Sequence, residues 1–248
     1  MKEKIKYAGA MLICFIAVLF IRMPVMADDG VPATAWRDYA AADFAGGSGT
    51  ETDPYRITDG AQLAKIAKDV ENGTVYKDAY FRLENDIDLS AHRWNPIGVY
   101  KCYADTTDNR MFSGFLDGNG KTITGLIVDE RTEKNRAGLF GKITCIGTAT
   151  NVGVKDLNIV DARIYATNEG MKSSSSAILA GMVMTNPGDT VRFDDISVSG
   201  TIVNTRVGDN SMISGGLFGE AYRVTADNCR ADVMIEGGDN TGGFVGLD

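Results

Sequence analysis

The chain has 248 residues, 44% of them apolar, with 29 glycines, only 5 prolines and a single histidine. Its 33 acidic and 25 basic side chains leave a formal charge of −8, which repels phosphate backbones and excludes nucleic acid as a partner. His92 alone is too little for histidine-based catalytic triads or multi-histidine metal sites.

The chain begins with Lys2, Lys4 and Lys6, followed by an apolar run over residues 8–21. Val25 and Ala27 supply small residues before Asp28, the pattern of a cleaved secretory signal spanning residues 1–27. The run falls short of the ~20 residues that span a bilayer, so no integral membrane segment is expected after cleavage. Cys14 follows Ile13 rather than a small residue, which argues against a lipid anchor. Cleavage removes four basic residues (Lys2, Lys4, Lys6, Arg22) and one acidic residue (Glu3), taking the charge from −8 to −11. Cys102, Cys145 and Cys229 remain. They are too few and too widely spaced for a disulfide framework or a zinc site, although one Cys102–Cys145 bridge is conceivable.

Residues 28–45 read as a leader in which Trp36 and Phe44 tuck onto the first rung. Gly46-Gly47-Ser48-Gly49-Thr50 is a turn, and Asp53-Pro54 forces an extended entry into Tyr55-Arg56-Ile57. Thr58 or Asp59 caps a helix with Leu63, Ile66, Ala67 and Val70 on one stripe, ended by Asn72-Gly73. The period then changes to two. Tyr80-Phe81-Arg82-Leu83 and Ile87-Asp88-Leu89 read as strands, and two more short strands flank a turn at Asn119-Gly120.

Beyond this point the chain repeats. Residues 156–164, 195–202 and 228–235 each place an Asp or Asn before an alternating strand. A four-residue box, Gly138-Leu139-Phe140-Gly141, precedes them, and after each strand and a loop comes another: a worn Ile178-Leu179-Ala180-Gly181, Gly216-Leu217-Phe218-Gly219 and Gly243-Phe244-Val245-Gly246. The closing glycines are 40, 38 and 27 residues apart, so the length variation sits in the loops. The longest loop contains Lys172-Ser173-Ser174-Ser175-Ser176 and reads as flexible and exposed. The two apolar residues of a box face opposite sides and both need cover. The glycines allow coils to approach at strand spacing and the chain to turn a corner. Each unit leaves an apolar face bare until its neighbour covers it, which is the logic of a β-solenoid.

These boxes and their upstream strands resemble the GLUG motif of bacterial surface and secreted proteins. The order of Gly49-Thr50, Asp53-Pro54-Tyr55-Arg56-Ile57, Asn85-Asp86-Ile87-Asp88-Leu89, Trp94-Asn95-Pro96-Ile97-Gly98 and Phe115-Leu116-Asp117-Gly118-Asn119-Gly120 is similar to the module that precedes such repeats. The resemblance covers residues 36–248. It implies an all-β fold, a right-handed parallel β-helix with one N-terminal capping helix. It also implies a secreted or cell-surface location, with no catalytic residues to carry over. The expected division is a signal peptide over 1–27, a leader over 28–45, a cap with first rungs over 46–125, and repeats over 126–248, cut short at the C-terminus.

The acidic groups invite chemistry: Asp86 with Asp88, Asp105 with Asp108, Asp117, and Asp194 with Asp195. Their positions at strand ends and turns favour backbone capping over paired-carboxylate catalysis. Asp117-Gly118-Asn119-Gly120 has only part of a calcium loop and reads as a plain turn. Lys121 lacks the helix a phosphate loop requires. Trp94, Tyr100 and Tyr103 could stack on sugars, but Trp94 fits better beneath the first rungs. The expectation is a non-enzymatic, adhesin-like or stalk module without cofactor, whose partner would be a host or matrix glycan or protein. The alternatives are an accessory region of a larger secreted protease or polysaccharide-degrading enzyme, and a β-helix carbohydrate-active enzyme.

Overall fold

Pro54 sets an extended entry, Tyr55–Ile57 (β1) forms the first strand, and Gly60–Glu71 (α1) follows at once. Tyr80–Leu83 (β2) then turns Phe81 and Leu83 inward and leaves Tyr80 and Arg82 outside, as period-two alternation requires. In the computed structural model, which describes residues 29–99, 110–132, 136–147, 149–169 and 173–247, the same alternation returns with each circuit of the chain. The segments stack in parallel as a β-solenoid with one helix at its N-terminal end. Residues 1–27, expected to be a signal peptide, and Tyr100, Cys102, Tyr103, Asp105, Asp108 and Lys172 lie outside the described residues.

One circuit contains Ile87–Asp88 (β3), and the next Phe115–Thr124 (β4), Ile127–Asp129 (β5) and Phe140–Ile143 (β6). The third contains Gly153–Thr167 (β7), Ser173–Ser176 (β8) and Ala180–Val183 (β9). The fourth contains Val191–Thr205 (β10), Ser211–Gly215 (β11) and Phe218–Ala221 (β12). Val224–Asp227 (β13), Arg230–Glu236 (β14), Asn240–Gly242 (β15) and Val245–Leu247 (β16) complete the described chain. They form three faces. The long sheet runs β1-β2-β4-β7-β10-β13, with β14 also on β10. A second face is β8-β11-β15, and a third is β6-β9-β12-β16.

Register converts the repeat into columns. Phe81, Leu116, Val154, Phe193 and Ala226 pair in succession, as do Ile87, Ile123, Ile159, Val198 and Ala231. Each apolar residue therefore covers its counterpart in the next coil, which contributes roughly 1.5–3 kcal/mol per fully buried large side chain. The residues before the repeated strands mark a shared corner. Asp156, Asp195 and Asn228 all adopt left-handed backbone angles (φ 51°, 55° and 50°), the conformation Asp and Asn tolerate best among non-glycine residues. Asn119 and Gly120 do so as well (φ 52° and 68°), but no hairpin forms there. Asp117 pairs with Lys155 and Lys121 with Leu157, so the expected turn is a bulge inside one continuous parallel strand.

The helix closes the N-terminal end. Asp59 Oδ1 accepts the Gln62 N–H at 2.9 Å and Gln62 Oε1 accepts the Thr58 N–H at 2.8 Å, a reciprocal cap. Leu63, Ile66 and Val70 are buried on its inner stripe. The leader tucks in as its rings require. Trp36 Nε1 donates to Leu89 O at 2.9 Å, and Phe44 packs on Tyr55 and Phe81.

The serine run departs from its sequence reading. Ser173–Ser176 is strand β8, and Ser174, Ser175 and Ser176 are fully buried. Ser176 Oγ donates to Asn204 Oδ1 at 2.9 Å and lies 3.1 Å from Ser214 Oγ, while Asn204 Nδ2 donates to Ser214 Oγ at 2.7 Å. Asn204 and Ser214 satisfy the Ser176 hydroxyl, whereas the Ser174 and Ser175 hydroxyls are enclosed without a hydrogen-bond partner among the described residues.

Candidate functional site

The four boxes stack in the register their sequences suggest. Phe140 pairs with Ala180, Ala180 with Phe218, and Phe218 with Val245. Ile97 bridges to Phe140, so Asn95-Pro96-Ile97-Gly98 is an earlier member of the column that the repeat search did not include. Its signal was the closing glycine, 43 residues before Gly141 and close to the later intervals. Leu139, Phe140, Leu217 and Phe218 are all fully buried, so both sides of these boxes are covered.

The closing glycines of the four boxes serve close approach rather than a corner conformation, because Gly141, Gly181, Gly219 and Gly246 all lack positive φ; only the earlier member Gly98 adopts it (φ 88°). A Cβ at Gly141 would fall 2.1 Å from Gly98 O, and one at Gly219 would fall 2.5 Å from Gly181 O. At Gly181 the neighbour is Arg136, whose Cβ would be 2.8 Å away. Gly138 and Gly216 are likewise enclosed, at 2.9 Å from Phe140 O and 2.2 Å from Gly243 O, whereas Gly243 meets nothing within 4 Å. The box is a packing device.

The acidic groups divide by what they bind. Asp86 Oδ1 accepts the Thr122 N–H at 2.8 Å. Asp88 Oδ1 accepts the Ser90 N–H at 2.8 Å, and that backbone bond holds its carboxyl below the ordinary range. Asp195 accepts from Asn228 at the shared corner. Asp117 accepts the Asn119 N–H at 2.8 Å through Oδ1 and faces Lys155 Nζ at 3.3 Å through Oδ2, contacts that sit at the bulge of β4. Among the described residues no three His, Cys, Asp or Glu side chains gather as a metal site. His92 lies between Trp36 and Tyr39, stacked on Tyr39 at 3.9 Å, with Thr34 Oγ1 at 2.6 Å from Nδ1. Trp94 is buried and donates from Nε1 to Leu139 O at 2.9 Å, which places it beneath the rungs.

The cysteines carry no bridge among the described residues. Cys145 is a buried free thiol, pushed up to about 11 mainly by burial. Cys229 is partly buried against the core, and burial raises its thiol as well.

The outward face of the long sheet holds a groove of about 510 Å³. Two columns form its floor. In one, Tyr80 pairs with Phe115, Phe115 with Gly153, and Gly153 with Arg192. In the other, Arg82, Asp117, Lys155 and Asp194 follow one another in the same way. Glu51 and Thr52 line it together with Thr150 and Asn151. The Tyr80 and Phe115 rings lie 5.6 Å apart at 37°, and both are only partly covered. Burial raises the Tyr80 phenol, helped by Glu51 and Asp78. Burial works to lower Lys155, but Asp117 and Asp156, at 3.3 and 3.5 Å, outweigh it and hold the ammonium above its ordinary value. Alternation alone put these side chains outside; their convergence depends on coil-to-coil register, which sequence reasoning did not follow.

No family model matches the chain. It is 33% identical over 184 residues to halomucin of Haloquadratum walsbyi, covering 73% of this chain and 2% of that protein. It is 36% identical over 118 residues to a Gly-rich membrane protein of Evansella cellulosilytica, covering 45% of this chain and 12% of that one. The chain thus spans a small part of the length of these relatives. Among the described residues, no helix is long and apolar enough to cross a membrane. A solved Bacteroides ovatus structure described as an immunoglobulin A1 protease covers 84% of this chain and 89% of its own, at 13% identity and a TM-score of 0.32.

Proposed function

We propose that this chain is a GLUG-type β-solenoid module displayed on or released from the surface of a bacterium, acting as a non-enzymatic scaffold whose outward faces meet adhesive partners. One observation carries the reading. The box column runs unbroken from Ile97 through Phe140, Ala180 and Phe218 to Val245, although the loops between its members differ in length. A fixed stack with variable loops suits presentation of surface, while Asp86, Asp88 and Asp117 are engaged in backbone and ion-pair contacts. The likeness to halomucin and to a Gly-rich membrane protein supports an exterior location. The signal-like residues 1–27 support it too.

Antibody labelling of intact cells, with fractionation of the medium, tests the location. Labelling of unpermeabilised cells or recovery from the medium is expected. Retention inside the cell would overturn the proposal.

A further inference from the structure

We propose that the groove floored by Tyr80 and Phe115 is a carbohydrate-binding site, for a neutral glycan. This deepens the reading above and rests on it for the setting in which the ligand is met.

The large rings at Phe81, Phe112, Phe140, Phe193 and Phe218 are buried in the core. Tyr80 and Phe115 instead sit side by side on the outer face, partly open, at the bottom of a concave site. The next position of their column is Gly153, which adds no side chain to the groove and lets the Arg192 backbone approach closely, since a Cβ there would fall 2.1 Å from Arg192 O. A cavity of about 510 Å³ falls within the ~300–1,000 Å³ typical of small-ligand sites. A partly open aromatic ring at the foot of such a groove suits the C–H face of a pyranose.

The neighbouring column supplies what a pyranose edge requires. Lys155 is held between Asp117 and Asp156, so donor and acceptor atoms are fixed beside the rings before a ligand arrives. Hydroxyl groups are both donors and acceptors, and an ordered Asp–Lys pair can satisfy both roles. The charged lining is balanced, with Glu51, Asp117 and Asp194 against Arg82, Lys155 and Arg192. A balanced groove in an acidic chain offers no net attraction to a polyanion or a polycation. An added peptide strand is also poorly served, since the floor is the face of strands already paired on both sides, not a free edge.

The test is affinity electrophoresis of the purified full chain in gels containing xyloglucan, mixed-linkage β-glucan, galactomannan, or gastric mucin before and after chemical deglycosylation. Retardation by at least one of these glycans is expected. Phe115→Ala and Lys155→Met should each weaken it about tenfold. Phe115→Trp should retain it, and so should Tyr39→Ala, which removes an exposed ring elsewhere. Melting curves confirm that each variant is folded. The proposal is overturned if no polymer retards the chain, if folded Phe115→Ala is retarded like the parent, or if only mucin binds and deglycosylation leaves that unchanged. The last result would identify a protein partner. Because the assay uses purified chain, its failure leaves the surface location standing, and failed cell labelling leaves the groove standing.

Discussion

The guanidinium of Arg136 lies 3.3 Å from the carboxylate of Glu220, with both side chains almost wholly enclosed (2% and 3% exposed). The two residues come from coils separated by a third, whose Ser173 carbonyl accepts from Arg136 Nη1 at 2.6 Å. The contact is ionic, its geometry short of an aligned hydrogen bond at Glu220 Oε1.

Removing one charge of this pair strands the other. Glu220→Ala is expected to lower unfolding stability by about 3–5 kcal/mol in urea titrations. The double variant Arg136→Met, Glu220→Leu should recover most of that loss. If the single variant unfolds at the parent midpoint, the pair contributes nothing.

Gly216 and Gly243 hold the same box position but differ in what covers them. Gly216→Ala should cost about 1–3 kcal/mol, lowering the Tm by roughly 2–4 °C per kcal/mol, since its Cβ would fall 2.2 Å from Gly243 O. Gly243→Ala, with nothing within 4 Å, should leave the Tm within a degree or so of the parent. Equal losses at both sites would mean that coil packing does not explain the glycine.

Cys145 provides a pH signature. Its thiol is raised in the folded chain to about 11, so the stability it contributes is fully present below the unfolded value of about 8.5 and is lost as pH rises toward 11. Chemical denaturation between pH 8 and 11 should show a decline that is shallower in Cys145→Ala; Cys229, also raised, contributes equally to both proteins. At pH 8 iodoacetamide should label Cys145 only after unfolding. Labelling of the folded protein at the rate of a free thiol contradicts its burial.

At the helical cap, Asp59→Ala should destabilise by about 1 kcal/mol, while Asp59→Asn should retain most of the parent stability because the amide oxygen can still accept from Gln62. A neutral result for Asp59→Ala, read from the Tm, would mean the helix is held by packing alone.

Much of this architecture was legible because it is local or periodic. Asp59 announced the helix, the alternation at Tyr80–Leu83 sorted inside from outside, and the Asp or Asn before each repeated strand marked a left-handed corner. The third residues of the boxes pair in the register that their sequences share. What escaped depended on neighbours far along the chain. The serines of β8 look like a flexible linker until Asn204 and Ser214 are brought against them. The Asn119-Gly120 bulge has the residues of a hairpin turn, and only pairing with β7 keeps the strand running onward. Asn95-Pro96-Ile97-Gly98 carries a proline where the later boxes carry leucine or phenylalanine, which hid its kinship. The groove needs two outward columns to meet, and no single strand records that.

Coils built to one pattern face a hazard of assembly: each could settle against the wrong copy. The apolar columns do little to prevent this, since isoleucine against isoleucine is favourable in many orders. The interior polar groups are not interchangeable. Ser176 finds Asn204 and Ser214 only when β8 lies beside β11, and Arg136 reaches Glu220 only across the coil between them. A skipped or exchanged coil would bury a charge or an amide without its partner, a cost of several kcal/mol that a misassembled stack cannot recover. These few unlike residues give each otherwise similar coil an address.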